Sequence, residues 1–227
     1  MYTERAAPEA RGTLWRNRLP SGPYRVLPDG CLDLIWTGGE VIVAGPDTGP
    51  RQGSGAGQIY IGLRLASGTG PSVLGVPARE FTDRQVPLSD VWGGARAREL
   101  AERLAGANAP GRVLADAAAA RLAEAGPADP VVGAALAGLD AGEPVSLTAV
   151  RAGLSERQLH RRCLDAFGYG LKTLARIRRM TRAVSLIEAG TPQAEAAFRA
   201  GYADQAHLAR EVKALTGVPP SAFRPTG

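Results

Sequence analysis

Histidine is scarce in this chain of 227 residues, and its placement excludes several kinds of site. The two histidines, His160 and His207, both lie in the second half. The first half therefore lacks the imidazoles of a histidine-ligated metal centre and a histidine partner for a nucleophilic serine or cysteine. We expect no enzyme activity, no metal ion and no cofactor.

Cysteine is also scarce, and long apolar runs are absent. Cys31 and Cys163 are too few for a zinc thiolate cluster or a disulfide framework. No run of about 18 apolar residues occurs, so we expect no membrane span. The charged N-terminus MYTERAAPEARG has no apolar segment of the kind found in secretory signals. These absences predict a cytoplasmic protein with reduced thiols.

Basic charge, by contrast, is concentrated near the C-terminus. Residues 1–94 contain nine basic and nine acidic side chains, whereas residues 146–227 contain 13 basic and 6 acidic ones. The net charge of +5 therefore arises in the last third of the chain. Such an excess favours a surface that faces nucleic-acid phosphates, although a solvated basic face would give the same count.

The stretch from Ala194 to Arg224 predicts two short helices joined by a tight turn. Thr191 and Pro192 indicate a helix start, Gly201 permits a left-handed turn, and Asp204 suits the N-cap of the next helix. That second helix has three apolar residues on one face: Leu208, Val212 and Leu215. The pattern is a helix-turn-helix.

This stretch closely resembles the second helix-turn-helix of the AraC family of bacterial transcription regulators. The match is free of gaps and includes Ala196, Ala197, Gly201, Tyr202, Gln205, His207, Leu208, Arg210, Glu211, Thr216, Gly217, Pro220 and Phe223. The resemblance implies double-stranded DNA as the partner, RNA polymerase as a further candidate partner, and the bacterial cytoplasm, on the nucleoid when DNA is bound. An ordinary helical hairpin is the alternative.

Residues 155–168, SERQLHRRCLDAFG, resemble the first recognition helix of the same family. Motif positions then imply that the DNA-facing residues are Arg157, Gln158, His160 and Arg161 in the first helix and Gln205, Ala206, His207 and Arg210 in the second. Arginine can bond guanine with two hydrogen bonds. Cys163 and Val212 stand where the family usually has larger aromatic residues.

A long helix is predicted from Leu171 to Ala189, between the two motifs. Its length of roughly 28 Å suits two recognition helices in successive major grooves, which recur every ~34 Å. We therefore expect two DNA subsites about 10 base pairs apart, or a bend in the DNA that lets both helices reach it. Candidates for phosphate contacts are Arg176, Arg179, Arg182 and Lys213; a solvated helix face explains the first three equally well.

Residues 1–94 are rich in glycine and proline, with short apolar runs that predict strands. The predicted strands are Leu14–Leu19, Cys31–Trp36, Glu40–Ala44, Gln58–Leu65 and Ser72–Val76. Many short strands favour a small barrel or sandwich. Segments between Leu27 and Leu88 resemble the N-terminal domain of an actinobacterial-type branch of AraC-like regulators, and N-terminal domains of the family are commonly cupin-like β-barrels that hold a small effector.

Four residues are candidates for an effector pocket in this domain: Trp15, Cys31, Trp36 and Tyr60. Aromatic residues in strands are more often part of the core. Cys31 likewise has two interpretations, a small buried hydrophobe or a thiol that senses an electrophile or oxidant. An unchanged inducer response after Cys31→Ser would contradict the sensor hypothesis. The effector itself is unknown.

The chain is thus expected to be an α+β protein of two domains. We predict a β-rich, cupin-like barrel or sandwich over residues 1–94 and a helical linker over 95–127, which packs on its own domain or forms a homodimer contact. An all-α double helix-turn-helix, joined by the long helix, follows over 128–227. The predicted function is a sequence-specific DNA-binding transcription regulator that responds to a small molecule. A constitutive regulator whose N-terminal domain only dimerises, and an enzyme domain fused to a DNA-binding half, are the alternatives.

Overall fold

The computed structural model describes residues 2–225, and eight short strands form its N-terminal part. The strands are β1 (Tyr2–Ala7), β2 (Gly12–Arg18), β3 (Ser21–Val26), β4 (Leu32–Trp36), β5 (Val41–Ala44), β6 (Arg51–Ala56), β7 (Ile59–Leu65) and β8 (Gln85–Pro87). Four of the five predicted strands are confirmed, as β2, β4, β5 and β7. The fifth, Ser72–Val76, is wrong, because a short helix with proline in its first turn ends there at Gly75, whose φ is +76°.

Ten α-helices accompany the strands within the described residues. They are α1 (Gly70–Leu74), α2 (Ser89–Trp92), α3 (Gly94–Ala105), α4 (Pro110–Ala125), α5 (Pro130–Asp140), α6 (Val145–Arg151), α7 (Glu156–Phe167), α8 (Leu171–Glu188), α9 (Gln193–Ala200) and α10 (Gln205–Thr216). The predicted long helix is confirmed as α8. None of the helices in residues 2–225 is long and apolar enough to cross a membrane.

Two antiparallel sheets make up the N-terminal domain. Six strands form one sheet in the order β1-β2-β7-β4-β5-β8, and β3 pairs with β6 in a second sheet of two strands. Successive side chains of a strand point to opposite faces, so the large sheet has one face toward the helices and one toward a cavity. On the helix-facing side lie four buried residues from four strands: Leu14, Leu34, Val43 and Leu63.

The apolar stripe of residues 95–127 packs on this sheet. Leu100 and Leu104 of α3 and Leu114 of α4 are at most 3% exposed and belong to the same core as the strands. Of the two alternatives for this segment, packing on its own domain therefore accounts for the buried residues. We propose that the segment completes the N-terminal domain. The homodimer stays a prediction, and the apolar stripe does not support it because the stripe is buried in the domain core.

A second core holds α5 to α10 together. Its largest fully buried side chains include Leu159, Phe167, Leu174, Ile177 and Met180. Full burial of one such side chain stabilises the fold by roughly 1.5–3 kcal/mol. The α8 residues among them lie three apart at 174, 177 and 180, so this helix is the central element against which both helix-turn-helix units pack.

Candidate functional site

The C-terminal region contains two helix-turn-helix units, α6 with α7 and α9 with α10. The turn of each unit has a glycine with positive φ, Gly153 at +67° and Gly201 at +84°. The second helix of each unit begins at a side-chain cap. Ser155 accepts a hydrogen bond from the backbone N–H of Gln158 at 3.3 Å, and Asp204 accepts one from the N–H of His207 at 2.6 Å.

The first helix of each unit begins directly after a proline. Helix α6 begins after Pro144 without a side-chain cap. Thr191 was expected to cap α9, which instead begins after Pro192. Proline has no side-chain acceptor for the N–H groups of the first turn, so neither of these helices has a side-chain cap.

The two recognition helices, α7 and α10, carry equivalent residues at equal distances from their caps. Four residues after each cap lies a fully buried leucine, Leu159 and Leu208, and eight residues after each lies a small buried residue, Cys163 and Val212. These positions fix the rotation of each helix against the core. They also confirm that the small side chains at Cys163 and Val212 are core residues.

Several basic side chains of this region are exposed and have no ion-pair or hydrogen-bond partner within residues 2–225. They are Arg157 and Arg161 on α7, Arg210 and Lys213 on α10, and Arg182 on α8. Unpaired guanidinium groups on a recognition helix are free to bond guanine or phosphate. Ala206 is also exposed, at the second position of α10.

Four other candidates for DNA contact have partners within the protein. The side chain of Gln158 folds back and accepts a hydrogen bond from the N–H of Ser155 at 2.9 Å. Gln205 donates to Gln193 at 3.2 Å, and the ring of His207 meets that of Tyr202 edge-on, with 5.2 Å between centroids. A Cβ atom built on Gly170 would lie 2.7 Å from the imidazole of His160, so that ring packs on the start of α8.

Glu211 on α10, which sequence analysis left without a role, is a buried carboxylate that accepts hydrogen bonds from two arginines of α8. Arg176 Nε lies 3.1 Å and Arg179 Nη2 lies 2.7 Å from its oxygens. Burial alone would raise the pKa of Glu211, but the hydrogen bonds from Arg179 and Arg176 outweigh burial and lower it. Arg179 also lies 4.7 Å from the centre of the Tyr202 ring.

These contacts change the interpretation of two predicted phosphate-binding residues. Arg176 and Arg179 were candidates for DNA phosphates, yet both are committed to Glu211 and so attach the second recognition helix to α8. The single carboxylate of Glu211 balances one of their two positive charges. The sequence signal was present, since α8 carries the two arginines three residues apart, but only the fold brings Glu211 to them.

In the N-terminal domain, a cavity of about 210 Å³ lies between the large sheet and the β3–β6 pair. Strand alternation determines which residues reach it: Trp15 and Asn17 of β2, Asp33 and Ile35 of β4, and Ile42 and Ala44 of β5. Of the predicted pocket residues, Trp15, Cys31 and Tyr60 line this cavity. Trp36 does not, because it lies on the helix-facing side of β4, against the domain core.

The cavity is also lined by residues that were not predicted from the sequence, which include Tyr2, Tyr24 and Arg64. Two of the aromatic rings lie flat on glycines of the neighbouring strands. A Cβ atom on Gly62 would be 2.2 Å from the Trp15 indole, and one on Gly53 would be 2.6 Å from the Tyr24 ring. Both glycines are directly opposite their aromatic partners in the strand register, so the missing side chains make room for the rings.

Charged groups of both signs line the cavity. Arg64 Nε lies 2.8 Å from a carboxylate oxygen of Asp29 and 3.9 Å from one of Asp33, and the Trp15 indole N–H donates to Asp33 at 2.5 Å. Burial, followed by the charge of Asp29, raises the pKa of Asp33 to about 6. Burial also raises the pKa of the Cys31 thiol well above its usual range, and Asp29 and Asp33 raise it further.

One cavity-lining segment, residues 27–31, contacts the helical region. Leu27 lines the cavity and packs against the C-terminal core. A Cβ atom on Gly30 would lie 2.7 Å from Leu174 and 3.6 Å from the hydroxyl of Tyr169. That hydroxyl is buried and has no hydrogen-bond partner within residues 2–225.

A second lining segment, residues 45–51, also contacts the helical region. Pro46 lies 2.5 Å from the position of a Cβ atom on Gly168, and Pro50 lies 3.4 Å from one on Gly217, the residue that ends α10. A third link is the hydrogen bond that Thr82 donates to the carbonyl of Gly168 at 2.9 Å. Gly30, Pro46 and Pro50 make these contacts and adjoin lining residues in the chain. The two segments therefore connect the cavity with α8 and with the ends of α7 and α10.

Comparison with known proteins agrees with this arrangement. A helix-turn-helix domain family matches residues 148–226, and a domain of unknown function, DUF6597, matches residues 12–87. A comparison with curated proteins finds no match.

Crystal structures of ToxT from Vibrio cholerae share the fold at low sequence identity. An apo variant from strain SCE256 has a TM-score of 0.52 at 12% identity, over 94% of this chain and 96% of that chain. ToxT from strain O395 bound to (E)-4-(8-methylnaphthalen-1-yl)but-3-enoic acid has a TM-score of 0.51 at 10% identity, over 98% and 97%. Wild-type ToxT bound to an unsaturated fatty acid has a TM-score of 0.50 at 9% identity, over 98% and 94%.

The match of a helix-turn-helix domain family to residues 148–226, which hold the two helix-turn-helix units, identifies a DNA-binding transcription regulator. The helix-turn-helix domain over residues 148–226 is of the AraC type, in agreement with the resemblance seen in the sequence.

Proposed function

We propose that this regulator reads two DNA subsites with α7 and α10 and that a small molecule in the N-terminal cavity controls this binding. The observation that carries the proposal is the double role of residues 27–31 and 45–51. Both segments line the cavity, and both contact the DNA-binding region. A ligand that shifts these two segments would therefore also change their contacts with the DNA-binding helices.

For base contacts we propose Arg157 and Arg161 of the first recognition helix and Arg210 of the second. Their guanidinium groups are exposed and lack partners within residues 2–225. Gln158, His160, Gln205, Ala206 and His207 remain candidates by motif position, although Gln158 and Gln205 would have to leave their present hydrogen bonds. For phosphates we retain Arg182 and Lys213, since Arg176 and Arg179 are paired with Glu211.

The length of α8 supports reading two successive major grooves. Its 18 residues extend roughly 27 Å, somewhat less than the ~34 Å between equivalent groove faces. Two recognition helices at this spacing would either tilt toward each other or bend the DNA to reach both subsites. The subsites should therefore lie about 10 base pairs apart.

Control by a ligand requires that the ligand bind two states with different affinity. We propose that the two states differ in how residues 27–31 and 45–51 pack against α8 and α10. ToxT structures with a fatty acid or a naphthalenyl butenoic acid bound show that a protein of this fold accepts small molecules. A constitutive regulator would need no cavity, so the cavity of about 210 Å³ favours ligand control.

Hydroxyl-radical footprinting on a selected duplex tests the DNA part of the proposal. The full chain should protect two patches on one side of the duplex, about one turn apart. Arg210→Ala should weaken the protection of one patch, and Arg161→Ala that of the other. Arg178→Ala is the matched control, because Arg178 pairs with Asp140 and should leave both patches intact. A single patch that neither variant alters would contradict the proposal.

A further inference from the structure

We propose that the effector of the N-terminal cavity is a compact organic cation, an ammonium group on a small apolar body, held by Asp33 and by the ring faces of Trp15 and Tyr24. This inference rests on the proposed effector role of the cavity and adds the chemical class of the ligand. The residues involved come from β2, β3 and β4 and meet only in the folded domain.

The charges that line the cavity leave an acidic surplus. Three carboxylates, Asp29, Asp33 and Asp47, face two guanidinium groups, Arg51 and Arg64. Arg51 is paired with Asp47, and Arg64 is 2.8 Å from Asp29 but 3.9 Å from Asp33. Both positive charges are thus already compensated. Asp33 keeps only the neutral Trp15 N–H as a hydrogen-bond donor within residues 2–225.

Aromatic rings supply the second half of a cation site. Four of them line the cavity, those of Tyr2, Trp15, Tyr24 and Tyr60. The Trp15 and Tyr24 rings each lie against a glycine of the neighbouring strand, and both also line the cavity. The Tyr2 ring stacks on Trp15 with 6.4 Å between centroids, so the rings form a cluster. The face of an aromatic ring attracts a cation, and a desolvated ammonium surrounded by rings is a common form of such recognition.

Other classes of ligand suit these groups less well. A carboxylate ligand at Arg64 would have to displace Asp29 from its ion pair and would add a further negative charge beside Asp29 and Asp33. A metal ion needs several converging ligand atoms, and no three His, Cys, Asp or Glu side chains of residues 2–225 are close enough to supply them. The cavity of about 210 Å³ is also smaller than the roughly 300–1,000 Å³ of sites for drug-sized molecules.

Titration of the full chain with matched probes tests this inference. The probes are tetramethylammonium, choline and benzyltrimethylammonium, together with the uncharged carbon isostere of each and 3,3-dimethylbutanoate as the anion. Calorimetry should show that at least one ammonium probe binds tenfold or more tightly than its isostere and than the anion. Equal or tighter binding of the isosteres or the anion, or no binding of any ammonium probe at millimolar concentration, would overturn the inference.

Variants locate the binding in the cavity. Asp33→Asn should lower the affinity for the ammonium probe at least tenfold and leave the affinity for its isostere unchanged. Asp33→Glu should retain part of the affinity that Asp33→Asn loses. Gly53→Ala should weaken binding of the same probe, because the added methyl group would displace the Tyr24 ring. Trp36→Phe is the control, because Trp36 lies on the opposite face of the strand that carries Asp33. Equal losses of affinity for the ammonium probe in Trp36→Phe and Asp33→Asn would contradict a binding site at Asp33.

Failure of the ligand class and failure of the effector role give different results. If the anion or an isostere binds best and also changes DNA affinity, the effector role stands and the cationic class is wrong. If an ammonium probe binds at Asp33 but DNA affinity never changes, the cation site stands and the effector role is wrong.

Discussion

Arg161 and Arg210 occupy the same position on the two recognition helices, six residues after the N-caps Ser155 and Asp204. Both side chains are exposed, and neither has a partner within residues 2–225. The buried leucines at four residues after the caps give the two helices the same rotation. The two units therefore offer the same donor group at the same place, and we expect a guanine at the matching position of each subsite.

Replacing either arginine tests this equivalence. Arg161→Ala and Arg210→Ala should each weaken binding to a specific duplex by about 1–3 kcal/mol and relax the preference at one base of one subsite. Fluorescence anisotropy with a specific and a scrambled duplex measures the difference. Arg178→Ala is the control. Equal losses on both duplexes would identify the two arginines as phosphate contacts.

The buried Glu211 should contribute to the stability of the second helix-turn-helix unit. Glu211→Gln weakens two charge-assisted hydrogen bonds, so we expect a loss on the order of 1–3 kcal/mol, measured by urea denaturation. Because the fold lowers the pKa of Glu211, its contribution is present above the carboxyl pKa of the unfolded chain and disappears as pH falls through the lower, folded value. The Gln variant should lack this acid-dependent loss. Glu188→Gln, at the exposed end of α8, should change little.

Asp33 should make ligand binding depend on pH. Its pKa is raised to about 6 by burial and by Asp29, against the charge of Arg64 and the Trp15 hydrogen bond, with a smaller contribution from Asp47. Calorimetry across this range should therefore show weaker binding of an ammonium probe below pH 6, where Asp33 is protonated. A constant affinity through this range would contradict ionised Asp33 as the cation's partner.

Ionisation of Asp33 should also lower stability. The folded state holds this proton more tightly than the unfolded chain, so the free energy of unfolding should decrease as pH rises from the usual carboxyl range to about 6. Asp33→Asn should remove that slope, and Asp90→Asn, at an exposed site, should preserve it. Urea denaturation at several pH values measures both.

Cys31 should react slowly in the folded protein. Burial and two nearby carboxylates raise the pKa of its thiol, and the protonated thiol is a poor nucleophile. We therefore expect little alkylation by iodoacetamide at neutral pH until the chain is unfolded, and an unchanged ligand response in Cys31→Ser. Rapid modification of native Cys31 would restore the sensor hypothesis.

Gly30 should transmit ligand binding to α8. Both Gly30 and Gly38 have positive φ, but only a Cβ atom on Gly30 would meet the helical region, 2.7 Å from Leu174. Alanine at either position should lower stability by roughly 1–2 kcal/mol through backbone strain. Only Gly30→Ala should also alter the change in DNA affinity on ligand binding, measured by anisotropy. The same change in Gly38→Ala would contradict this route.

The sequence predicts most of the helical region because its signals are local. Ser155 and Gln158 indicate a helix start, and Gly201 indicates a turn, and neither indication depends on residues far away in the sequence. The cavity depends on strand pairing far along the chain. The partners β3 and β6 are polar, glycine-containing strands with no strong alternation, and their pairing could not be predicted.

The same limit explains the individual errors in the predicted site. Trp36 was assigned to the pocket because aromatic character alone does not tell which face of a strand is lined by helices. Arg176 and Arg179 were assigned to phosphates because Glu211 is 32 residues or more away in sequence and reaches them only through the packing of α10 on α8.

Selection of random duplex DNA by the purified, ligand-free chain tests the central claim most directly. Two short enriched elements, each containing a guanine and separated by about one helical turn, are the result we predict for two recognition helices held by α8. A single element, or no enrichment with binding that disappears as salt rises, would contradict reading by both helices. In that case only the attraction of the basic surface for phosphate would remain.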